Sequence, residues 1–208
     1  CVWVERERER EMSSSSHPKQ GGSTSQFKHG LEVMFGKTRK EVSLSAFSFL
    51  MTGIVHYFQE RVSDVADLEK SLEELGHGVG IRMLEMCCYR DKSSKRELKH
   101  VGMLQFISTT IWMTLFGKKA DSLERSVDSD CEYMIGERES LVTKFISVPR
   151  DMGEVNCAAF CAGIIQGVLE SGSFPCSVTA HFVPVEGEPI DRIVYLVRFD
   201  PAVLAREK

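Results

Sequence analysis

The sequence predicts an α+β fold with an antiparallel sheet. Apolar residues recur every three to four positions through 43–90, which is typical of amphipathic helices. Apolar and polar residues alternate over 176–182, which is typical of a strand with one face on a core. The predicted elements follow the order α, α, α, β, β, α, β, β, α. Helices and strands are therefore segregated along the chain, as they are in α+β domains.

The 208 residues suit one domain with a tail. Residues 1–40 are rich in Ser, Gly, Lys and His and poor in core-forming residues, apart from the apolar island 31–35. This composition predicts a disordered tail. Residues 1–11 alternate Arg with Glu in their second half and precede Met12, so we expect them to be translated leader or a gene-model error. The folded domain is then 41–208.

Charge and hydropathy exclude two classes of protein. The formal net charge is −4, from 26 basic and 30 acidic residues, so binding of nucleic acid through bulk positive charge is not expected. The longest apolar stretch, 101–116, is interrupted by one glutamine and several hydroxyl residues. It predicts a buried core helix and not a membrane span.

Three helices are predicted in the first half of the domain. The first begins after a cap at Ser43 or Ser45, and the second follows a cap at Ser63. Glycines at 76, 78 and 80 interrupt the second helix. They indicate either a kink at Gly76 or a close helix contact through Gly76 and Gly80. The third helix covers about 95–116.

The second half of the domain carries the strands. Segments 131–137 and 141–148 predict a hairpin, after a short helix over 120–126. A helix over 157–170, capped by Asn156, should be buried on most sides. Strands at 176–182 and 193–199 and a short helix from Pro201 complete the prediction.

The sequence offers no defensible catalytic constellation. It lacks nucleotide-binding glycine motifs and a nucleophile elbow, and its GHGVG at 76–80 lies within a helical pattern. The odd number of cysteines and the absence of a secretory signal indicate reduced, buried thiols. We assign no catalytic, cofactor-binding or metal-binding residue. A thiol or metal enzyme that uses Cys157, Cys161 and Cys176 stays as a rival reading.

Two surfaces point towards partners. The predicted helices offer more apolar area than one face of a sheet covers, and unmatched apolar faces imply a partner chain. The run 90–99 is strongly basic, which suits an acidic partner or an anionic membrane as well as a solvated face. The residues of this run that we select are Lys92, Lys95, Arg96 and Lys99.

Several long segments, in order, resemble the Bet-three-like family of TRAPP complex core subunits. The resemblance covers essentially 38–208. The matching segments are EVSLSAFSFLMTGIVHYFQERVSDVADLEKSLEELGHGVGIRMLEM (41–86), WMTLFGKKADSLE (112–124), YMIGERESLVTKFISVPRD (133–151), NCAAFCAGIIQGVLESGSFPCSVTAH (156–181) and FDPAVLARE (199–207).

This resemblance implies a fold and a role. The family fold packs helices on one side of a twisted, four-stranded antiparallel sheet. Family members pair through their first two helices into heterodimers, tether vesicles at endoplasmic reticulum and Golgi membranes, and as an assembly promote nucleotide exchange on a Rab-type GTPase. Individual subunits have no active site. The interface residues that this implies here are Phe49, Ile54, Tyr57, Phe58, Leu68 and Leu72.

Two departures limit the resemblance. A related subunit carries an acylated cysteine at the start of its third helix, and the matching stretch here, 92–99, has none. The loop 184–191 is long and acidic for the family. The alternative function is a small-molecule-binding sensor domain of the same general fold, which predicts a closed, dry cavity.

Overall fold

The computed structural model describes residues 42–90, 96–127, 129–147, 155–185 and 191–207. All of them belong to the structural unit Arg39–Lys208. The predicted tail, with its apolar island, lies outside the described residues.

Two helices open the fold. Helix α1 spans Leu44–Gln59, and the Ser43 side chain accepts a hydrogen bond from the Ala46 amide at 3.2 Å, as predicted for its N-cap. Helix α2 spans Val65–Arg90. At its start the Asp64 carboxylate accepts from the Val65 amide at 2.7 Å, so this side chain takes the position predicted for Ser63. Both predicted helices are therefore present.

Helix α2 runs through Gly76 without a break. Its glycines lie against a later helix, α5, which spans Ala159–Ser171. A Cβ atom on Gly76 would overlap the backbone of Phe160, and one on Gly80 would overlap the backbone of Ile164. Of the two predicted readings, close helix contact through Gly76 and Gly80 is confirmed, and the helix is not broken at Gly76.

The third predicted helix is divided into three parts. Helix α3 spans His100–Phe106, a π-helical segment spans Ile107–Ile111, and helix α4 spans Trp112–Phe116. The wider turn leaves the Ser108 carbonyl to accept a hydrogen bond from the Ala120 amide at 2.9 Å, which ties the helix to the chain after it. Gly117, at φ +72°, ends the helix as a left-handed cap.

Four strands form one antiparallel sheet in the order β1–β2–β4–β3, which confirms the predicted α+β class. The strands are β1 (Ser122–Arg125), β2 (Glu132–Glu137), β3 (Cys176–Val183) and β4 (Arg192–Phe199). Along β4, Ile193, Tyr195, Val197 and Phe199 are buried, while the alternate residues are half-buried or exposed. One sheet face therefore carries the core.

The partner of β2 differs from the prediction. The hairpin joins β2 to β1, with Leu123 opposite Ile135, whereas 141–145 forms turns and 146–147 is irregular. Both the predicted strand at 141–148 and the predicted helix at 120–126 are wrong. The 141–147 segment buries Val142 and closes on itself through a bond from the Lys144 amide to the Ser140 carbonyl at 3.0 Å. Val142 thus serves the core, whereas Phe145 is 52% exposed.

Asn156 joins three elements ahead of α5. Its side chain accepts from the Ala158 amide at 3.0 Å and donates to the Ala180 carbonyl in β3 at 2.8 Å. Its own amide donates to the Glu69 carboxylate of α2 at 2.7 Å. The predicted cap differs from the structure: α5 begins at Ala159 with Ala158 as its N-cap residue, and Asn156 instead closes the turn that leads into the helix. The last helix, α6, spans Pro201–Arg206 and starts at the Asp200 cap, as expected from Pro201.

Candidate partner-binding surface

The outer face of α1 is an exposed apolar surface. Phe49 is 79% exposed, Leu50 60% and Tyr57 52%, whereas Met51 on the opposite side is buried. Large apolar side chains at helical spacing are normally covered, because leaving them in water loses the favourable transfer energy of burial. A contiguous exposed patch of this kind is typical of a protein–protein interface.

These side chains border an open groove of about 450 Å³ on α1 and α2. The groove floor is open at Gly53, where an added Cβ would meet no atom within 4 Å. An apolar side chain or a helix from a partner has room to enter here. The lining residues are Phe49, Leu50, Gly53, Ile54, Tyr57, Phe58 and Leu75.

Local contacts hold the aromatic part of the groove in place. The Arg61 guanidinium lies 3.6 Å from the centre of the Tyr57 ring and donates to the Tyr57 carbonyl at 2.9 Å. The rings of Tyr57 and Phe58 meet edge to face at 5.5 Å. His56 and Glu60 pair at 3.4 Å on the exposed side. An ordered aromatic centre beside charged groups has the anatomy of an interface.

The structure divides the six predicted interface residues into two groups. Leu68 and Leu72 are 1% and 0% exposed and belong to the chain's own core, so they cannot contact a partner. They share the buried stripe of α2 with Gly76, which faces α5. The other four line the groove: Phe49, Ile54, Tyr57 and Phe58.

Three further groove residues were not selected from the sequence. Leu50 and Gly53 lie on the same predicted stripe of α1, and Leu75 lies on the stripe of α2. Periodicity alone finds all three. It does not separate Leu75, which is partly buried beside the groove, from Leu72, which is fully buried.

The predicted basic run is only partly described. Lys92 and Lys95 lie outside the described residues. Arg96 and Lys99 are exposed just before α3. The Arg96 guanidinium contacts the Ser173 hydroxyl at 3.3 Å, at the end of α5.

A second cleft of about 410 Å³ lies near the end of β2. Its apolar wall includes Ile146, Phe182 and Ile193, and an ion pair between Lys144 and Glu139 at 2.7 Å lies at this cleft. Like the α1 groove, it opens to solvent. Neither of these two is the closed, dry cavity that a sensor domain requires.

The three cysteines of the rival enzyme reading are poor nucleophiles. Burial raises the pKa of Cys157 to about 11 and the pKa values of Cys161 and Cys176 to about 12. The reactive form of cysteine is the thiolate, so these thiols stay protonated and unreactive near neutral pH. Within the described residues, no group of three or more His, Cys, Asp or Glu side chains could hold a metal ion.

One carboxyl group is buried next to Cys161. Glu137, at the end of β2, is 1% exposed, accepts a hydrogen bond from the Tyr195 hydroxyl at 3.1 Å and lies 3.1 Å from the Lys118 ammonium. Burial raises the pKa of Glu137, and Lys118 opposes this. The cluster ties β2, β4 and the segment after α4 together.

Among the described helices, none is long and apolar enough to cross a bilayer.

The chain is similar to known vesicle-trafficking proteins over most of its length. Residues 47–200 match the family model described as transport protein particle (TRAPP) component. Trafficking protein particle complex subunit 5 from Dictyostelium discoideum is 48% identical over 170 residues, which are 82% of this chain and 91% of that protein. The human subunit 5 is 41% identical over 178 residues, which are 86% of this chain and 91% of that protein.

More distant relatives agree. Subunit 31 of the Saccharomyces cerevisiae particle is 32% identical, with 81% of this chain and 80% of that protein covered. Among solved structures, a subunit 3 from Naegleria fowleri, covalently bound to palmitic acid, superimposes with a TM-score of 0.63. That match covers 76% of this chain and 95% of the other at 20% identity, so it speaks for the fold alone.

Proposed function

Because the chain belongs to the family of TRAPP components, we propose that it is a non-catalytic architectural subunit of a TRAPP tethering complex in vesicle transport. The observation that carries this proposal is the apolar groove on α1. An architectural subunit needs an exposed apolar surface whose burial against a neighbouring subunit is favourable. Phe49, Leu50 and Tyr57 supply such a surface.

The proposed partners are other TRAPP core subunits, and the contact is a heterodimer through α1 and the adjoining part of α2. Apolar anchors in a groove contribute most of the energy of an interface, while the surrounding charged groups exclude water and select the partner. Phe49, Ile54, Tyr57 and Phe58 are the anchors in this proposal, and Arg61 and Glu60 are the nearby charges.

The assembled complex, and not this chain alone, is proposed to act as an exchange factor for a Rab-type GTPase. An exchange factor works by binding the nucleotide-free GTPase more tightly than the nucleotide-bound form, so it needs a broad surface and no nucleophile. The protonated state of Cys157, Cys161 and Cys176 agrees with this division of labour. Neither a cofactor nor a nucleic-acid partner is part of the proposal.

The proposed location is the cytoplasmic side of endoplasmic reticulum, cis-Golgi and Golgi membranes, in ER-to-Golgi and Golgi transport. Attachment is peripheral and occurs through the assembled complex. Lys92, Lys95, Arg96 and Lys99 are the proposed contacts to an anionic surface. A sensor domain that binds a small molecule is less well supported, because both clefts described above are open to solvent.

Reconstitution tests this proposal. Nucleotide release from candidate Rab GTPases is measured with the isolated chain, with the assembly that contains it and with the assembly that lacks it. We expect activity only from the complete assembly. Full activity from the isolated chain, or full activity from an assembly without it, would contradict the architectural role.

A further inference from the structure

Two arginines from distant parts of the chain meet at the end of α5. Arg96, before α3, donates from Nη2 to the Ser173 hydroxyl at 3.3 Å and to the Gly172 carbonyl at 3.4 Å. Arg206, in α6, donates from Nη1 to the Ser173 carbonyl at 3.0 Å. Both side chains belong to exposed residues. Two positive charges are therefore held beside one another at the surface.

The backbone at Ser173 is unusual. Among the described residues other than glycine, Ser173 alone has a positive φ, at +68°. A left-handed conformation is strained for a serine, and glycine would avoid that strain. What serine adds over glycine is its hydroxyl, which accepts from Arg96. The strained residue thus serves to hold the arginine.

Neither arginine has a carboxylate partner among the described residues. Glu207, next to Arg206, has both carboxylate oxygens bound by His100, at 2.6 Å from its amide and 2.7 Å from Nδ1. Glu170, in the last turn of α5, is bound by His77 at 2.8 Å and by Gln166 at 3.0 Å. These two carboxylates are committed to other groups, and the carboxylate of Glu97, which follows Arg96 in sequence, lies against Gly102.

Among the described residues, the bonds to the Gly172 and Ser173 carbonyls and to the Ser173 hydroxyl leave most of the arginine N–H donors available to a ligand. A guanidinium carries five N–H donors, and the bonds described above use Nη2 of Arg96 and Nη1 of Arg206. Its planar fork matches the oxygens of a phosphate group, which it binds through paired hydrogen bonds. Two such forks, with the exposed Lys99 three residues after Arg96 in sequence, are suited to a phosphate anion.

An apolar side chain projects from the same segment. Leu98, between Arg96 and Lys99, is 72% exposed. An exposed leucine side chain would contribute nothing to the binding of a free phosphate ion. It suits a lipid surface, where the cations lie at the headgroups and the apolar side chain enters the boundary with the acyl chains.

We propose that Arg96, Arg206 and Lys99 bind the phosphate headgroups of an anionic bilayer while Leu98 inserts beside them. This inference rests on the membrane association in the proposed function, and adds Arg206, Ser173 and Leu98 to the contact. The overall charge of −4 opposes an anionic surface, so the attraction must come from this local site.

Vesicle flotation with the full chain tests the inference. Phosphatidylcholine vesicles with and without phosphatidylserine are compared for the wild type and for the double variant Arg96→Gln, Arg206→Gln. Glutamine removes the charge and keeps an N–H donor for the Gly172 and Ser173 carbonyls. Arg82→Gln is the matched control, because Arg82 is exposed and donates to the Gly78 carbonyl at 2.7 Å in the same manner.

We expect the double variant to lose about thirtyfold in partition to phosphatidylserine vesicles, and Arg82→Gln to bind like the wild type. Leu98→Ser should lose about tenfold, and Val127→Ser, at a fully exposed position, should lose nothing. Equal partition of the double variant and the Arg82 control, or no effect of Leu98→Ser, would overturn the inference.

Two further measurements separate the sources of failure. Titration of the wild type with inorganic phosphate identifies a site for the free anion; saturation by phosphate without vesicle binding would overturn the lipid source. Co-purification with other TRAPP subunits tests the proposed function by itself. The double variant should still assemble, so loss of assembly and loss of vesicle binding are distinct results.

Discussion

Gly76 in α2 lies against the carbonyl group of Phe160 in α5, so closely that a Cβ atom on Gly76 would overlap that oxygen. The contact is reciprocal, because Cβ atoms on Gly163 and Gly167 of α5 would overlap the backbone of Glu73 and His77 in α2. Glycines four residues apart on both helices therefore let the two backbones touch. Leu75, which lines the groove, is the residue before Gly76 in α2.

Replacing Gly76 by Ala should destabilise the fold by about 1–3 kcal/mol, since the new methyl group meets backbone that cannot yield without moving a helix. Gly78→Ala is the matched control in the same helix. Its Cβ would meet only the flexible end of Arg82, and alanine favours the helix by up to about 1 kcal/mol. Urea unfolding measures both. Equal stability of the two variants would contradict the close contact.

His100 joins the C-terminal segment to the sheet. Its ring contacts the Glu207 carboxylate at 2.7 Å and the Tyr133 hydroxyl at 2.8 Å, and it is 8% exposed. His100→Ala leaves both partners without their bond and should cost about 2–3 kcal/mol in the free energy of unfolding. His56→Ala removes an exposed pair with Glu60 and should change stability by less than about 1 kcal/mol. Thermal unfolding measures both variants, and an equal loss of stability in the two would refute the buried network.

The raised pKa of Glu137 predicts a pH dependence of stability. The folded protein keeps the proton on Glu137 at pH values where the unfolded chain, with a pKa near 4.5, has released it. The favourable contribution is therefore complete below about pH 4.5 and is lost as pH rises through the folded pKa. Relative to Glu137→Gln, which does not titrate, the wild type should lose stability over that range. Urea midpoints at several pH values check this, and a difference that stays constant with pH would refute it.

Thiol exposure gives a test without mutation. Cys88 is exposed on α2, whereas Cys161 is fully buried with a pKa near 12. A short maleimide pulse near neutral pH, read by peptide mass spectrometry, should label Cys88 and leave Cys161 unmodified until urea is added. Rapid native labelling of Cys161 would restore the thiol-enzyme reading.

Local signals in the sequence predict most of the fold. The cap at Ser43, the turn that Asn156 closes, the stop at Gly117, the alternation of β3 and the helix start at Pro201 are all side-chain or backbone effects within a few residues. Such effects can be predicted from the sequence because the residues that cause them lie next to the helix or strand that they begin or end.

The wrong elements depend on distant contacts. Strand β1 has a single apolar residue, Leu123, in four, and it is fixed by pairing with β2 and by the ion pair from Glu124 to Arg192 in β4 at 3.2 Å. Arg192 reaches across Gly136 of β2, where a Cβ would block its path. A charged edge strand of this kind shows no clear alternation of apolar and polar residues. The higher β-propensity of 141–148 therefore favoured that segment as the strand that follows β2.

The partner-binding surface was predicted as a set of apolar helix faces. The structure shows which residues on those faces are accessible to a partner. Periodicity places Leu72 and Leu75 on one stripe of α2, but α5 covers only part of it. Likewise Arg206 is far from Arg96 in sequence, and only the fold brings both to Ser173. Burial and long-range convergence follow from tertiary packing and leave no local signature.

The most direct test of the central claim is capture of a second TRAPP core subunit by the full chain carrying Phe49→Asp, with Val127→Asp as the control. Both positions are highly exposed, at 79% and 100%, so both variants should unfold within about 1 kcal/mol of the wild type. We predict that Phe49→Asp weakens capture at least about tenfold, since the charge loses its water in the interface, and that Val127→Asp captures like the wild type. Equal capture by the two folded variants would contradict pairing through the α1 groove.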